Sequence, residues 1–277
     1  MKKKSKYTVG SGSRKGYVSE FQKDLEIVSE KNNKSKIYNK IFCKNAEDMS
    51  ELTDNCIGLT VTSPPYNIGK DSDLDLIDED YWEMIKNVFT EVYRVTESGG
   101  RLVVNIANLG RKPYIPINKT FTKLLLDIGF IMRGEIIWQK SKGANANFAW
   151  GSWLSASNPV IRDIHEYCLV FSKHDLKRAD KGISTIEKEE FMESTLSIWN
   201  IPPARAKKIG HPAPFPIELP ERFINLFTYE DDLILDPFMG SGSTAIAAKK
   251  LNRKYIGYEI NKDFVELSEK RLNDLIY

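Results

Sequence analysis

The 277-residue chain lacks any apolar run near the roughly 18 residues that a membrane-spanning helix needs. Its lysine-rich start is not followed by an apolar segment, so the pattern of a secretory signal is missing as well. We therefore expect a cytoplasmic protein that makes no membrane contact. Apolar residues make up 41% of the chain and charged residues 28%, which is typical of a globular protein with a full core.

Cysteine and histidine are scarce, with three residues of each. The cysteines stand apart in sequence, without the Cys-x-x-Cys spacing that zinc sites use, and the histidines are scattered. We expect neither a disulfide framework nor a bound metal.

The chain also lacks a strong net charge, which is +2. A binding partner of opposite charge would therefore have to be held by local patches. One basic patch lies at Lys2–Lys15, where a solvated tail is an equally good interpretation, and a second lies at Arg205–Lys208.

Apolar periodicity predicts alternating strands and helices from Ile37 to Trp138, and again after Pro212. This alternation indicates an α/β fold with a mostly parallel, doubly wound sheet. The pattern breaks after Lys140. The range 141–205 is rich in Gly, Ala, Asn, Ser and Trp, and Glu166–Ser172 is its one clear strand.

A glycine-rich loop, Asp236–Thr244, follows the predicted strand Leu233–Leu235. Gly240 and Gly242 let the backbone approach a ligand closely. Glu259 ends the next strand, about 20 positions later, where an acidic residue accepts hydrogen bonds from ribose hydroxyls. The loop therefore predicts a nucleoside cofactor. A dinucleotide site is the alternative, but the Asp-Pro-Phe ahead of the glycines is better suited to a cationic or polar ligand than to a pyrophosphate.

A second loop, Ser63–Tyr66, follows the predicted strand Cys56–Thr62, which two prolines stop. Free carbonyls at a strand exit can accept hydrogen bonds from an exocyclic amine, and a tyrosine ring can stack on a base. Ser63 can donate to a ring nitrogen or accept from an amine. These residues suit a planar base that carries an amino group. A proline-rich turn with a core tyrosine is the alternative.

The two loops resemble those of the DNA amino-methyltransferases that use S-adenosylmethionine, with Ser-Pro-Pro-Tyr as catalytic loop and Asp-Pro-Phe-x-Gly-x-Gly-x-Thr as cofactor loop. The resemblance implies a Rossmann-like methyltransferase fold, the cofactor S-adenosyl-L-methionine and double-stranded DNA as substrate. It implies that Ser63, Pro64, Pro65 and Tyr66 are catalytic. The cofactor-binding set that it implies is Asn45, His211, Pro212, Asp236, Pro237, Phe238, Gly240, Ser241, Gly242, Thr244 and Glu259. Asn45 stands where the family often has an acidic residue, and Glu47 and Asp48 are alternatives to it.

The catalytic loop precedes the cofactor loop, which resembles the circularly permuted β group of the family. Residues 37–140 and 206–277 would then form the catalytic domain, 141–205 the target-recognition segment, and 1–36 a basic arm with a short helix. Arg162, Lys173, Lys177 and Arg178 are candidates for phosphate contacts. Trp138, Trp150 and Trp153 could stack on bases, although packing is favoured.

Within the family, Ser at position 63 favours cytosine N4 as the methyl acceptor, with adenine N6 as the alternative. No cysteine follows a proline, so the residues do not suit methylation of cytosine C5. An RNA or protein amino-methyltransferase is a more distant alternative that the order of the loops disfavours. The resemblance also suggests a restriction-modification system with a cognate endonuclease as candidate partner, and either a monomer or a homodimer.

Overall fold

A computed structural model describes residues 30–66, 78–109, 113–140 and 151–275. Most of the predicted basic arm and its helix, and the start of the range 141–205 with Trp150, lie outside these residues. No helix within the described residues is both long enough and apolar enough to cross a membrane.

The described residues form one eight-stranded sheet, which confirms the predicted α/β class. The strands are β1 (Lys40–Phe42), β2 (Ile57–Thr62), β3 (Thr96–Ile106), β4 (Ile131–Gln139), β5 (His165–Ser172), β6 (Ile198–Asn200), β7 (Leu233–Asp236) and β8 (Lys254–Tyr258). The helices are α1 (Asp78–Val95), α2 (Ile117–Ile128), α3 (Lys188–Ser194), α4 (Ala206–Ile209), α5 (Glu218–Phe227), α6 (Ser243–Lys250) and α7 (Lys262–Asn273).

The spatial order of the strands is β1-β8-β7-β2-β3-β5-β4-β6. Only β5 among these strands runs antiparallel to its neighbours, β3 and β4. The strand pair β7–β2 joins the last third of the chain to its first third, with Leu59 opposite Ile234. This pairing makes one sheet from two segments that the sequence separates, as the permuted arrangement requires.

Helices cover both faces of the sheet because its strands carry apolar residues on both sides. Leu102 and Val104 of β3 pack in a cluster that contains residues of α1 and α2. Val103 packs in a second cluster on the opposite face, formed with residues of α5, α6 and α7. The six residues of β2, Ile57–Thr62, are all buried, so this strand is the centre of the core from which the catalytic loop leaves.

The structure contradicts a phosphate-binding role for two of the proposed basic residues. Lys173 is buried, and its Nζ donates to Asn55 Oδ1 at 2.6 Å. Arg178 is largely buried in ion pairs with Glu97 and Asp232. Both side chains hold the amino-terminal edge of the sheet together, and neither is free to reach DNA.

Candidate active site

One cavity of about 380 Å³ lies along the carboxyl ends of the parallel strands. Ligands of open α/β sheets bind at this edge. Its walls follow the strand order: Asn45 lies beyond β1, Glu259 follows β8, Pro237 follows β7, and Ser63 follows β2. The strands β3, β5 and β4 continue the wall on the other side of β2.

Asp236 connects the two predicted loops from below the cavity. Its Oδ1 accepts a hydrogen bond from the Thr62 hydroxyl at 2.7 Å, and its Oδ2 accepts one from the Thr244 hydroxyl at 2.8 Å. Burial raises the pKa of this carboxyl to about 6, although these hydrogen bonds act in the opposite direction. Asp236 is fully enclosed by protein groups, so it fixes the end of β7 against the end of β2.

The backbone at Gly240 forms the floor of the cofactor side. Gly240 has a φ of +50°, and a Cβ there would lie 3.0 Å from Nε2 of His211. Its N–H donates to Glu259 Oε2 at 2.8 Å, so the loop and the end of β8 hold each other. Gly242, with φ +80°, is required by packing, because a Cβ would lie 2.7 Å from the Cβ of Ser268.

The carboxylate of Glu259 and the side chain of Asn45 line the same corner of the cavity. Glu259 Oε1 accepts from the N–H of Asn261 at 2.8 Å, and burial raises the pKa of this carboxyl. Glu47 does not line the cavity and instead accepts from Asn45 and from Asn87. The third candidate, Asp48, pairs with Lys44 at 3.1 Å and does not itself line the cavity. Of the three alternatives, only Asn45 borders the cavity.

His211 packs over the glycine loop as a neutral ring. Burial, together with the charge of Arg271, lowers its pKa to about 4. Its Nδ1 accepts from the N–H of Ala213 at 3.3 Å, and its ring lies 4.5 Å from that of Phe264. A neutral, apolar-backed imidazole at this position does not repel a cationic ligand.

The catalytic loop is held from behind by Tyr66 and Tyr81. The Tyr66 hydroxyl accepts from the N–H of Ala107 at 3.1 Å, and burial raises the pKa of this phenol well above its usual value. The Tyr81 hydroxyl donates to the carbonyl of Pro65 at 2.6 Å. That carbonyl therefore already has one donor within the protein. The Ser63 side chain is hydrogen-bonded to that of Tyr66, and Ser63 and Pro64 both line the cavity.

Three residues that no sequence motif marks, Asn105, Lys140 and Glu166, line the far wall together with Trp138, which the sequence offered as a candidate for base stacking. They lie at the ends of β3, β5 and β4, and they share no local motif. Their position at strand ends was the one available signal. The sequence favours packing for Trp138, and this residue is buried but also borders the cavity.

The predicted residues divide into two groups. Those that line the cavity are Asn45, Ser63, Pro64, Pro65, Tyr66, His211, Pro212, Pro237, Phe238, Gly240 and Glu259. Those that lie behind its wall are Asp236, Ser241, Gly242 and Thr244, which support the loop.

The polar and aromatic side chains on the β8 side of the cavity fit a nucleoside group. A carboxylate suits ribose hydroxyls, Asn45 suits a heterocycle edge, and the rings of Phe238 and Phe264 provide apolar walls.

Comparison with known proteins shows which family the chain resembles. The family model described as DNA methylase matches residues 57–270. The chain is 31% identical to the Type II methyltransferase M.MthZI of Methanothermobacter thermautotrophicus, over 87% of this chain and 78% of the relative. It is also 31% identical to the Type II methyltransferase M.MjaI of Methanocaldococcus jannaschii, over 84% of this chain and 90% of the relative.

Two solved structures have the same fold. The crystal structure of TTHA0409 from Thermus thermophilus, complexed with S-adenosyl-L-methionine, matches with a TM-score of 0.67 and 26% identity, over 84% of this chain and 93% of that one. The cytosine-N4-specific PvuII DNA methyltransferase matches with a TM-score of 0.68 and 21% identity, over 86% of this chain and 87% of that one.

Proposed function

This chain belongs to the DNA methylase family, and we propose that it methylates the exocyclic N4 amino group of cytosine in duplex DNA. Its cofactor is S-adenosyl-L-methionine. The observation that carries methyl transfer is the meeting of two loops on one cavity: Ser63–Tyr66 leaves β2 beside Pro237–Phe238, which leaves β7. The Thr62–Asp236 hydrogen bond of 2.7 Å fixes the two exits together.

The cofactor side places a nucleoside beside the catalytic loop. We assign Glu259 to the ribose hydroxyls, because its buried carboxylate has acceptor capacity beyond its bonds to Gly240 and Asn261. Asn45 borders the heterocycle, and Phe238 separates this side from the base side. Asp236, Ser241, Gly242 and Thr244 support the loop without touching the ligand.

The base side binds an amine and directs its nitrogen. Ser63 Oγ and the Pro64 carbonyl accept the two amine hydrogens, which increases the electron density on the nitrogen and aims its lone pair. When bound, S-adenosyl-L-methionine would supply a sulfonium methyl to this nitrogen, with the carbon–sulfur bond as the bond that breaks. The nitrogen then loses one proton to solvent. Tyr66 stacks on the base after it has been flipped from the duplex.

Ser63 is the reason for choosing cytosine over adenine. Its hydroxyl can accept from an amine or donate to a ring nitrogen, and both bases offer these groups. Our choice therefore rests on the family's association of Ser at this position with cytosine N4. Adenine N6 is the alternative.

We further propose that target recognition belongs to the range 141–205. Two of its strands, β5 and β6, are part of the sheet, so its segment 151–164 is the described part best placed to reach DNA. Trp153 and Ile161 are exposed in this segment, at 64% and 88%. Because the named relatives are Type II methyltransferases, a cognate restriction endonuclease is the proposed functional partner.

The identity of the methylated nucleoside tests this proposal. Purified protein is incubated with S-adenosyl-L-methionine and unmethylated DNA, and the DNA is digested to nucleosides and analysed by mass. We expect N4-methylcytosine. N6-methyladenine would contradict the choice of base, and no modified nucleoside would contradict methyl transfer to DNA.

A variant pair assigns the chemistry to the loop. Ser63→Ala should lose most of the transfer while it still binds the cofactor. Ser50→Ala, which changes an exposed serine outside the cavity, should match the wild type. Equal activity of both variants would contradict the role of Ser63.

A further inference from the structure

The far wall of the cavity carries a chain of polar contacts across three neighbouring strands. Lys140, just beyond β4, forms an ion pair with Glu166 Oε1 on β5. The other oxygen, Glu166 Oε2, accepts from the amide of Asn105 on β3 at 2.7 Å. Asn105 Oδ1 in turn accepts from the thiol of Cys168 at 3.4 Å. Asn105 and Glu166 therefore already have their partners within the protein.

Lys140 differs from these partners because it retains donor capacity. An ammonium group has three hydrogens, and the ion pair with Glu166 uses one of them. The Nζ atom also lies 5.1 Å from the centre of the Trp138 ring. Trp138 is itself fixed, since its Nε1 donates to the carbonyl of Ile201 at 2.8 Å. A buried ring and a half-buried carboxylate thus hold one cation at the cavity wall, ready to donate to a ligand.

The position of Lys140 relative to Ser63 matters for a base in the cavity. The strand order β2-β3-β5-β4 puts the backbone of Lys140 three strands from that of Ser63. At roughly 4.8 Å per strand this separation is about 14 Å. The ion pair with Glu166 on β5 draws Lys140 toward Ser63, and both residues line the same cavity. A base whose amine lies at Ser63 therefore presents its opposite edge toward Lys140.

That opposite edge differs between the two candidate bases. Around the cytosine ring from the amine come the acceptor N3 and then the carbonyl oxygen O2. Around the adenine ring come the acceptor N1 and then a C–H group. A hydrogen-bond donor placed beyond the ring nitrogen therefore finds an acceptor on cytosine and none on adenine, so one N–H of the donor would be left without an acceptor beside adenine.

We propose that Lys140 is a specificity-determining residue that donates a hydrogen bond to O2 of the flipped cytosine. This inference rests on the proposed function and extends it to a second residue that reads the base. Glu166 is the positioning residue, since it fixes the ammonium group without touching the base. A contact between Lys140 and a DNA phosphate is the competing explanation, and it would act equally on every base.

The test combines a protein change with a change in one DNA atom. After the target site has been mapped, its cytosine is replaced by 2-thiocytosine, whose sulfur accepts hydrogen bonds more weakly than oxygen does. We expect the wild-type kcat/KM to fall roughly tenfold to a hundredfold on 2-thiocytosine, and Lys140→Met to fall by a similar factor on ordinary cytosine. The two changes together should cost little more than either alone, because they remove the same bond.

Two further variants guard against a purely structural effect. Lys254→Met is the matched control: Lys254 pairs with Asp231 at 3.4 Å and lies 5.0 Å from the Tyr38 ring, but outside the cavity. It should behave as the wild type on both substrates. Lys140→Arg keeps the charge and the donors, so it should recover part of the activity and part of the sensitivity to sulfur. Cofactor affinity, measured for each variant, should remain unchanged.

The outcomes separate this inference from the proposed function. If the wild type forms N4-methylcytosine but sulfur reduces the rate equally with and without Lys140, the contact with O2 is wrong and the function stands. If the wild type modifies adenine or no base, the proposed function fails first, and the nucleoside digest shows this directly.

Discussion

The two halves of the cavity are built differently, although β2 connects them. The half formed by β8 and β7 is lined by loop residues that lie close together in sequence: Pro237, Phe238 and Gly240 in one loop, and Glu259 and Ile260 in the other. The half formed by β3, β5 and β4 is lined by single side chains, among them Asn105, Glu166 and Lys140, from three separate strands.

This difference has a physical origin. A nucleoside ligand requires the backbone to approach it closely. The backbone conformation that allows this is set by glycines and prolines that lie near each other in the sequence. A base edge is read by side-chain donors and acceptors, which can come from any strand that ends nearby. The first half is therefore visible as a motif, whereas the second appears only when the strand order is known.

The largest effect should come from the residue where the halves meet. Tyr66→Ala removes a stacking surface and the acceptor for the Ala107 N–H, so methyl transfer should fall roughly a hundredfold or more. Cofactor affinity should change by less than about threefold, since the ring lies on the base side. Radiolabelled methyl transfer and calorimetry measure these two quantities. Tyr38→Ala, at an exposed tyrosine outside the cavity, is the control; a comparable loss there would contradict the assignment.

The next prediction concerns the free energy of unfolding, to which Asp236 contributes by connecting the two loops. Because burial raises the pKa of Asp236 to about 6, the folded protein binds this proton more tightly than the unfolded chain does. The stabilising contribution is complete below pH about 4 and is lost as the pH rises through about 6, by up to about 3 kcal/mol.

Unfolding by urea between pH 4 and pH 8 measures this contribution. Asp236→Asn cannot titrate, so the difference in free energy of unfolding between wild type and variant should change with pH in that window. Ser50→Ala, which changes an exposed side chain that carries no titratable group, should show no such change. A difference for Asp236→Asn that is constant with pH would contradict the buried carboxyl.

A smaller effect should follow from the cofactor half. Glu259→Gln replaces a charged acceptor by a neutral amide beside the N–H groups of Gly240 and Asn261. We expect cofactor affinity to fall roughly tenfold to a hundredfold. Glu269→Gln, an exposed change on α7, is the control for titration calorimetry. An unchanged cofactor affinity in Glu259→Gln would contradict the assignment of Glu259 to the ribose hydroxyls.

The smallest effect tests which residue after β1 serves the cofactor. Asn45→Ala should weaken cofactor binding by a few-fold, on the order of one hydrogen bond. Glu47→Gln should stay within about twofold of the wild type, since Glu47 lies off the cavity and the new amide keeps an acceptor for Asn45. If Glu47→Gln raised the dissociation constant of the cofactor more than Asn45→Ala did, Glu47 would be the cofactor contact.

The sequence predicted the sheet because its signals are local. Pro64 and Pro65 mark the end of β2, and the apolar spacing marks α1. Glu166–Ser172 was predicted as a strand, but its antiparallel place between β3 and β4 depends on pairing partners that local periodicity does not specify.

The residues of the site were likewise predicted only where they belong to a local motif. Eleven predicted residues line the cavity, whereas Asp236 and Thr244 of the same motif turn away from it to bond each other at 2.8 Å. A motif shows which residues act together, but burial decides which of them face the ligand. Asn105, Lys140 and Glu166 escaped prediction because what they share is a sheet edge and not a stretch of chain.

The central claim is that the two halves share one cavity but perform separate tasks. The most direct test is the single-turnover rate of methyl transfer at saturating cofactor and DNA, measured side by side for Glu259→Gln and Tyr66→Ala. We predict a rate near that of the wild type for Glu259→Gln, because excess cofactor restores binding, and a persistent loss for Tyr66→Ala. Equal losses in both variants, or recovery of Tyr66→Ala by excess cofactor, would contradict the division.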